Sequence, residues 1–212
     1  MVPYKPQYWH LIAPFAKRSI AKRFGREVAD RAYANGAQAY RDLLLCAPDL
    51  GDDNPMLGTF CESMVFVALW MGADGAISVD GLRQMTADVL GMPVLKAVGL
   101  VKNGNRSLDF QLEGMKNTEA WAQAHEGEFD SAWRVRFDDA LHRDGIFFEY
   151  TRCPIAEYMA ELGVSEVTPA ICELDHLMCK LIHSKLYREH TIADGAATCD
   201  YWIVGDKIEN PR

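Results

Sequence analysis

The hydrophobic period of this 212-residue chain changes near residue 130, and this change constrains the fold more than any other feature of the sequence. Before it, apolar side chains recur at helical spacing, as Phe60, Met64 and Met71 do. From Trp133 onward, apolar and polar residues alternate, which is typical of a half-buried strand. We therefore predict an α+β fold, in which an N-terminal helical part packs with a C-terminal antiparallel sheet.

Cap and turn residues divide the helical part. Asn54 and Ser78 are typical N-cap residues, and Gly25 and Gly36 are candidate breaks in the first long helical segment. Helices are predicted over residues 14–45, 55–71, 79–90 and 109–125. The apolar run 93–101 fits a short helix or a strand equally well.

The second part alternates strands with short helices. About four strands are predicted, over residues 133–137, 146–152, 186–191 and 198–204, with two short helices between the second and the third. We interpret residues 1–212 as a single domain, in which 1–128 are mainly helical and 131–206 form the α+β part that carries the candidate site.

The charge balance excludes two classes of partner. Lys and Arg number 22 against 30 Asp and Glu, which gives a formal net charge of −8. Nucleic-acid binding depends on phosphate neutralisation, and attraction to an anionic membrane depends on basic side chains, so we expect neither. The longest apolar stretch, 64–71, is far shorter than the ~20 residues of a membrane helix.

The expected compartment decides how the cysteines are interpreted. The first residues lack the unbroken apolar core of a signal peptide, so we expect a cytoplasmic protein. The six cysteines are then expected to be reduced. This leaves them available for catalysis, for metal binding or for burial in the core.

Cys153 is the most informative position. It follows a predicted strand and precedes Pro154, which fits the first position of a helix over 154–162, so Cys153 is the expected N-cap residue. The free N–H groups and the positive end of the helix dipole predict a lowered thiol pKa there, and Arg152 adds to this effect if its side chain turns inward. The alternative is a buried cysteine that ends a strand.

The next helix carries a stripe of cysteines and histidines. Thr168 is its expected cap, and Asp175 shares a face with Cys172. The stripe consists of Cys172, His176, Cys179 and His183. It suggests zinc, but a straight helix spreads these residues over about 16 Å, so at most an adjacent pair can bind one ion together with Cys153 or Cys199. We expect Cys179 to fill the core.

The last predicted strand places Cys199 and Tyr201 on one face and Asp200 on the other. A carboxylate in an apolar strand is costly unless it is paired. We therefore expect Asp200 to hold an arginine or a backbone turn rather than to act in catalysis.

The C-terminal block, residues 146–203, resembles the L-2-amino-thiazoline-4-carboxylic acid hydrolase family. The matching pieces are Arg152-Cys153-Pro154, Cys172-x-x-Asp175, Arg188 and Thr191 followed by Gly195, and Cys199-Asp200-Tyr201. The resemblance implies a hydrolase that opens a small cyclic amidine-type ring, thiazoline-like or lactam-like, at a non-peptide C–N bond. We also expect a small-molecule substrate and no cofactor, with zinc as the alternative discussed below.

The resemblance and the capping argument together give a site hypothesis. Cys153 attacks the amidine carbon, Asp175 transfers protons, and Cys172 or Cys199 assists or is itself the nucleophile. Arg188 pairs with a substrate carboxylate, and Tyr201 contacts the substrate.

Two alternatives remain open. One is a zinc-dependent hydrolase whose metal candidates are Cys153, Cys172, His176 and Cys199, with Asp175 nearby. The other is a non-enzymatic module that binds a metal or a small molecule. A homo-oligomer is also compatible with the sequence.

Overall fold

The computed structural model describes residues 2–96, 98–138 and 140–212 and has the predicted α+β architecture. The helices are α1 (Pro6–Phe24), α2 (Arg26–Cys46), α3 (Leu57–Gly72), α4 (Val79–Leu90), α5 (Pro93–Lys96), α6 (Val98–Val101), α7 (Asp109–Ala124), α8 (Pro154–Glu161) and α9 (Thr168–Leu181). The strands are β1 (Arg134–Phe137), β2 (Ile146–Arg152), β3 (Ser184–Tyr187) and β4 (Cys199–Gly205). No helix among the described residues is long and apolar enough to cross a membrane.

The two candidate glycine breaks behave differently. Gly25 has a φ of 90° and separates α1 from α2, as predicted. Gly36 lies inside α2 and does not interrupt the helix. It allows α2 to pack closely against α3. A Cβ atom built on Gly72 would stand 2.5 Å from the backbone nitrogen of Gly36, so α2 and α3 approach too closely for side chains at this crossing.

The predicted start of the fourth helix is confirmed, whereas the predicted start of the third helix is not. The Ser78 hydroxyl accepts the Gly81 N–H at 3.1 Å, so the predicted cap of α4 is confirmed. Helix α3 begins at Leu57 rather than at residue 55, because Asn54 Oδ1 accepts the Met56 N–H in a preceding turn. Met71, predicted to share a face with Phe60 and Met64, is 40% exposed, whereas Phe60 and Met64 are fully buried.

The strands form one antiparallel sheet with the order β1-β2-β4-β3. In the β2–β4 register, Tyr150 is opposite Cys199 and Phe148 is opposite Tyr201. All four side chains are buried in the core. The register therefore gives this face of the sheet an aromatic surface with a thiol at one end.

The third strand is shorter than predicted and begins at Ser184, two residues before the predicted start. It ends at Tyr187, whereas the alternation predicted a strand through Thr191. The reason is Asp200, whose carboxylate accepts the backbone N–H groups of Glu189 and His190 at 2.8–3.1 Å. These donors turn toward a side chain instead of a neighbouring strand, so Arg188 stands at the start of a loop.

The helical part and the sheet share one core of buried apolar side chains. The Tyr158 hydroxyl of α8 donates to the Leu43 carbonyl of α2 at 2.8 Å. The Phe60 ring of α3 lies 5.9 Å from the Tyr158 ring and 6.5 Å from the Trp133 ring. These contacts fix the position of α8, and with it Cys153, against the helical part.

Candidate functional site

Asp175 of α9 lies at the centre of the candidate site. The Tyr201 hydroxyl of β4 donates to Asp175 Oδ2 at 2.5 Å. Arg188 Nη1 donates to the same oxygen at 2.8 Å and to the Tyr201 hydroxyl at 3.0 Å. The three side chains come from a helix, a loop and a strand, so the tertiary fold alone brings them together.

The guanidinium of Arg188 is held on several sides. Its side chain is only 6% exposed, its Nη2 donates to the Cys172 carbonyl at 3.0 Å, and it lies 5.2 Å from the centre of the Tyr201 ring. A buried cation is tolerated only when it is paired and hydrogen-bonded. Asp175 and Tyr201 meet that requirement here.

The Asp175 carboxyl is recessed but reachable. Solvent still touches 38% of its side chain, while the surrounding protein raises its pKa by burial. The Tyr201 hydrogen bond and the Arg188 charge oppose this effect, yet the pKa stays above its ordinary value. A carboxyl with a raised pKa holds a proton more readily than an ordinary aspartate, and this favours a role in general acid–base catalysis.

Cys153 caps α8, as predicted, but its pKa differs from the prediction. The N–H groups of Ile155 and Ala156 favour the thiolate, whereas burial opposes it more strongly and raises the pKa to about 12. The predicted lowering is therefore wrong, because desolvation outweighs the helix end. Arg152 does not help, since its side chain binds Glu157 and the Asp130 carbonyl instead of turning inward.

The other two predicted site cysteines, Cys172 and Cys199, lie near Asp175 and Cys153, and we call these four residues the recess. Cys172 is half-buried, and its thiol pKa is raised by burial and by the Asp175 charge. Cys199 is 5% exposed, its sulfur accepts the Ile192 N–H at 3.1 Å, and burial raises its pKa. Charge interactions link all three thiols with Asp175, so the structure brings together Cys153, Cys172, Asp175 and Cys199.

An open cleft of about 260 Å³ leads to this recess. Cys172, Glu173 and His176 of α9 form one wall, and side chains of the loop over residues 188–194 form the other. Arg188 lies where the cleft meets the Asp175 carboxyl. The volume suits a small molecule with a single ring.

Tyr150 belongs to the site, although the sequence interpretation gave it no role. Its ring meets the Tyr201 ring edge-on at 5.0 Å, and its hydroxyl donates to the Met115 sulfur at 3.0 Å. It also interacts electrostatically with Asp175. The alternation of β2 places Tyr150 on the inner face, but its position opposite Cys199 depends on a strand register that the sequence does not reveal.

Other predictions for this region have mixed outcomes. Cys179 fills the core and Asp200 holds a backbone turn, so both predictions are confirmed. Thr168 is not a cap, because a 3-10 turn over residues 165–167 leads directly into α9 and gives Thr168 helical angles. His183 lies outside the cleft and pairs with Asp206 at 3.4 Å.

The zinc alternative finds no assembled ligand set in the part of the chain that the structure describes. No three histidine, cysteine, aspartate or glutamate side chains there are placed to hold one metal ion. His176 lines the cleft, while Cys153 and Cys199 are not among the residues that line it.

Comparison with known proteins gives one match. A family model described as L-2-amino-thiazoline-4-carboxylic acid hydrolase matches residues 94–203, which is slightly more than half of the chain. The matched range contains the whole recess and the cleft. No curated protein and no solved structure matches the chain.

Proposed function

The chain belongs to the L-2-amino-thiazoline-4-carboxylic acid hydrolase family, and on that premise we propose that it hydrolyses a small cyclic amidine-type ring at a C–N bond. The substrate enters through the cleft between α9 and the loop over residues 188–194. The reaction takes place in the recess that contains Cys153 and Asp175, and it needs no cofactor.

One observation carries this proposal: three thiols and a carboxyl with a raised pKa share a recess at the end of a cleft sized for one ring. A thiol is a strong nucleophile once it loses its proton, and an amidine carbon is an electrophile. A neighbouring carboxyl can move the protons that ring opening requires. Cys172 lines the cleft, and Arg188, which also lines it, donates to the Asp175 carboxyl.

In the first half of the reaction, the Cys153 sulfur forms a bond to the amidine carbon while Asp175 takes the thiol proton. Asp175 then gives that proton to the ring nitrogen, the bond between that nitrogen and the amidine carbon breaks, and the ring opens. The substrate is now a thioimidate on Cys153 with a free amine at its other end.

In the second half, water adds to the thioimidate carbon and loses a proton to Asp175. The carbon–sulfur bond to Cys153 breaks, the sulfur takes the proton from Asp175, and an amide or carbamoyl product leaves. In the net reaction, the ring and one water molecule give the open-chain product, and Cys153 and Asp175 return to their starting protonation states.

The high pKa of Cys153 is consistent with this order of reaction steps. Because the resting group is a thiol, its nucleophile forms only when a base takes the proton in the assembled complex. Asp175 is that base. The backbone N–H groups of Ile155 and Ala156 stabilise the sulfur when it carries charge.

Cys172 is the second candidate nucleophile, and one observation favours it. It lines the cleft directly, whereas Cys153 and Cys199 are not among the lining residues. Serine variants at each of the three positions distinguish these roles, because the nucleophile alone is required for every turnover.

The experiment that tests the proposal is product analysis on a panel of cyclic amidines, thiazolines and lactams. Cleavage of a C–N bond in a 2-amino-thiazoline releases a primary amine and no thiol, whereas cleavage of the C–S bond releases a thiol. We expect a product with the mass of one added water, a new amine and no new thiol. Release of a thiol would overturn the C–N assignment, and absence of any product would overturn the hydrolase proposal.

A further inference from the structure

His176 is a polar side chain of the cleft to which the proposed reaction gives no role. It lies in α9 directly after Asp175 and one helical turn after Cys172, and it lines the cleft together with Cys172. Its imidazole interacts with the charge of Asp175. Within residues 2–96, 98–138 and 140–212 it makes no hydrogen bond and no ion pair, so both ring nitrogens are available to a ligand.

The loop opposite α9 has few donors left for a ligand. Asp200 accepts two of its backbone N–H groups, and the Cys199 sulfur accepts a third. The Thr191 hydroxyl donates to the Asp194 carboxylate at 2.7 Å. The imidazole of His190 lies 3.3 Å from the Asp200 carboxylate. The donors on this wall of the cleft therefore serve the loop itself.

Arg188 is the only lysine or arginine among the described residues that line the cleft, but its charge serves the recess. Its Nη1 donates to Asp175 at 2.8 Å and to the Tyr201 hydroxyl at 3.0 Å, and its Nη2 donates to the Cys172 carbonyl at 3.0 Å. The side chain is only 6% exposed. A second carboxylate would compete with Asp175 for this buried cation, at a cost in desolvation.

We propose that His176 binds the carboxylate of the substrate through an imidazole N–H and so turns the amidine carbon of the ring toward the recess. The inference rests on the proposed ring hydrolysis and deepens it, because it names the residue that recognises the acid group in the family's description. Residues one turn apart on a helix have Cβ atoms about 5–6 Å apart. A single ring whose carboxylate is held at His176 therefore extends along α9 to Cys172.

A local donor is what such a substrate requires in this cleft. Glu173, Glu189 and Asp194 also line it, so the cleft offers an anion no general attraction. The ring itself carries no net charge when its amidine is protonated, because the amidinium and the carboxylate cancel. Binding of the carboxylate then depends on a directed hydrogen bond, and His176 supplies one.

The test compares two substrates and two proteins. The substrates are 2-amino-2-thiazoline-4-carboxylate and 2-amino-2-thiazoline, and the proteins are the wild type and His176→Leu. Because the variant loses a hydrogen bond to a charged group, we expect KM for the carboxylated ring to rise about tenfold. KM for the ring without a carboxylate should change by less than about twofold. Equal losses with both rings, or an unchanged KM for the carboxylated ring, would overturn the inference.

Two further variants separate the hydrogen bond from packing. His176→Gln keeps an N–H donor and should restore most of the affinity for the carboxylated ring, whereas failure to restore it would contradict the donor role. The control is His10→Leu, which changes an exposed histidine of α1 outside the cleft and should leave both KM values unchanged.

Calorimetric titration distinguishes failure of this inference from failure of the hydrolase proposal. If neither ring is hydrolysed but the carboxylated ring binds the wild type about tenfold more tightly than it binds His176→Leu, the assignment of His176 stands and the hydrolase proposal fails. If the rings are hydrolysed and the carboxylate makes no difference to the effect of His176→Leu, the inference alone fails. If neither ring binds, both proposals fail.

Discussion

The Tyr201 hydroxyl donates to Asp175 Oδ2 at 2.5 Å, and Arg188 Nη1 reaches the same oxygen at 2.8 Å. Two donors on one oxygen fix the plane of the carboxyl group. We expect Oδ1 to be the atom that exchanges protons with the substrate. The pair Tyr201–Asp175 therefore links the aromatic face of the sheet to the proposed proton transfer.

Tyr201→Phe tests this link through the pH profile. The Tyr201 hydrogen bond lowers the pKa of Asp175, so its removal raises that pKa further. Because Asp175 must be ionised to take the thiol proton, the acid limb of kcat/KM should move to higher pH. The measurement is kcat/KM across pH for both proteins.

The matched control for this variant is Tyr187→Phe. Tyr187 is a partly exposed tyrosine of β3 whose ring packs against Trp202 of β4. The profile of the control variant should overlay that of the wild type. An unshifted acid limb in Tyr201→Phe would mean that another group provides the base.

Slow alkylation of Cys153 is the second prediction. With a pKa of about 12, this thiol forms far less thiolate at pH 8 than an ordinary cysteine, so iodoacetamide should modify it roughly a thousandfold more slowly. Timed labelling followed by peptide mass spectrometry measures this rate, with exposed Cys46 as the internal reference. If Cys153 reacts as fast as Cys46, the thiol is activated in the resting protein.

Asp200→Asn tests the loop that carries Arg188. The carboxylate accepts the N–H groups of Glu189 and His190, and the amide can replace only part of this bonding. We expect a loss of about 1–3 kcal/mol in the free energy of unfolding, measured by urea denaturation. We also expect a drop of about tenfold in kcat/KM, because Arg188 and then Asp175 lose their positions.

The control for that loss is Asp206→Asn, which removes the charge of a carboxylate that accepts the Asn105 side-chain amide and pairs with His183 just beyond β4. Stability should fall modestly in this variant while kcat/KM stays at the wild-type value. A similar loss of activity in both variants would assign the effect of Asp200 to general destabilisation.

Tyr158→Phe tests the connection between α8 and the helical part. It removes the buried bond to the Leu43 carbonyl and keeps the ring contact with Phe60. We expect a cost of about 1 kcal/mol in unfolding free energy and little change in kcat. Two separate unfolding transitions in this variant or in the wild type would contradict a single cooperative domain.

Local sequence pattern predicted the secondary structure well where neighbours in sequence decide it. Strand β2 has the predicted bounds, 146–152, and Ser78 caps α4 as expected. The end of β3 was missed because the carboxylate of Asp200, ten and eleven residues further along the chain, accepts the N–H groups of His190 and Glu189. Gly36 was misinterpreted because its role depends on contact with Gly72 of another helix.

The candidate site shows the same division. The family resemblance and the helix-cap pattern predicted the residues that the fold brings near Asp175, namely Cys153, Cys172 and Cys199. They did not identify the raised pKa of Cys153, because desolvation depends on groups that pack around it from other elements. The cleft was also missed, since its two walls, α9 and the loop over residues 188–194, are separated in the sequence by β3.

Turnover of 2-amino-2-thiazoline-4-carboxylate by the wild type, by Cys153→Ser and by Cys46→Ser tests the central claim most directly. Cys46 is an exposed cysteine at the end of α2, so its variant controls for the substitution itself. We predict a water-adduct product from the wild type and from Cys46→Ser, and a loss of at least about a thousandfold in Cys153→Ser. Full turnover by a folded Cys153→Ser protein would contradict the account.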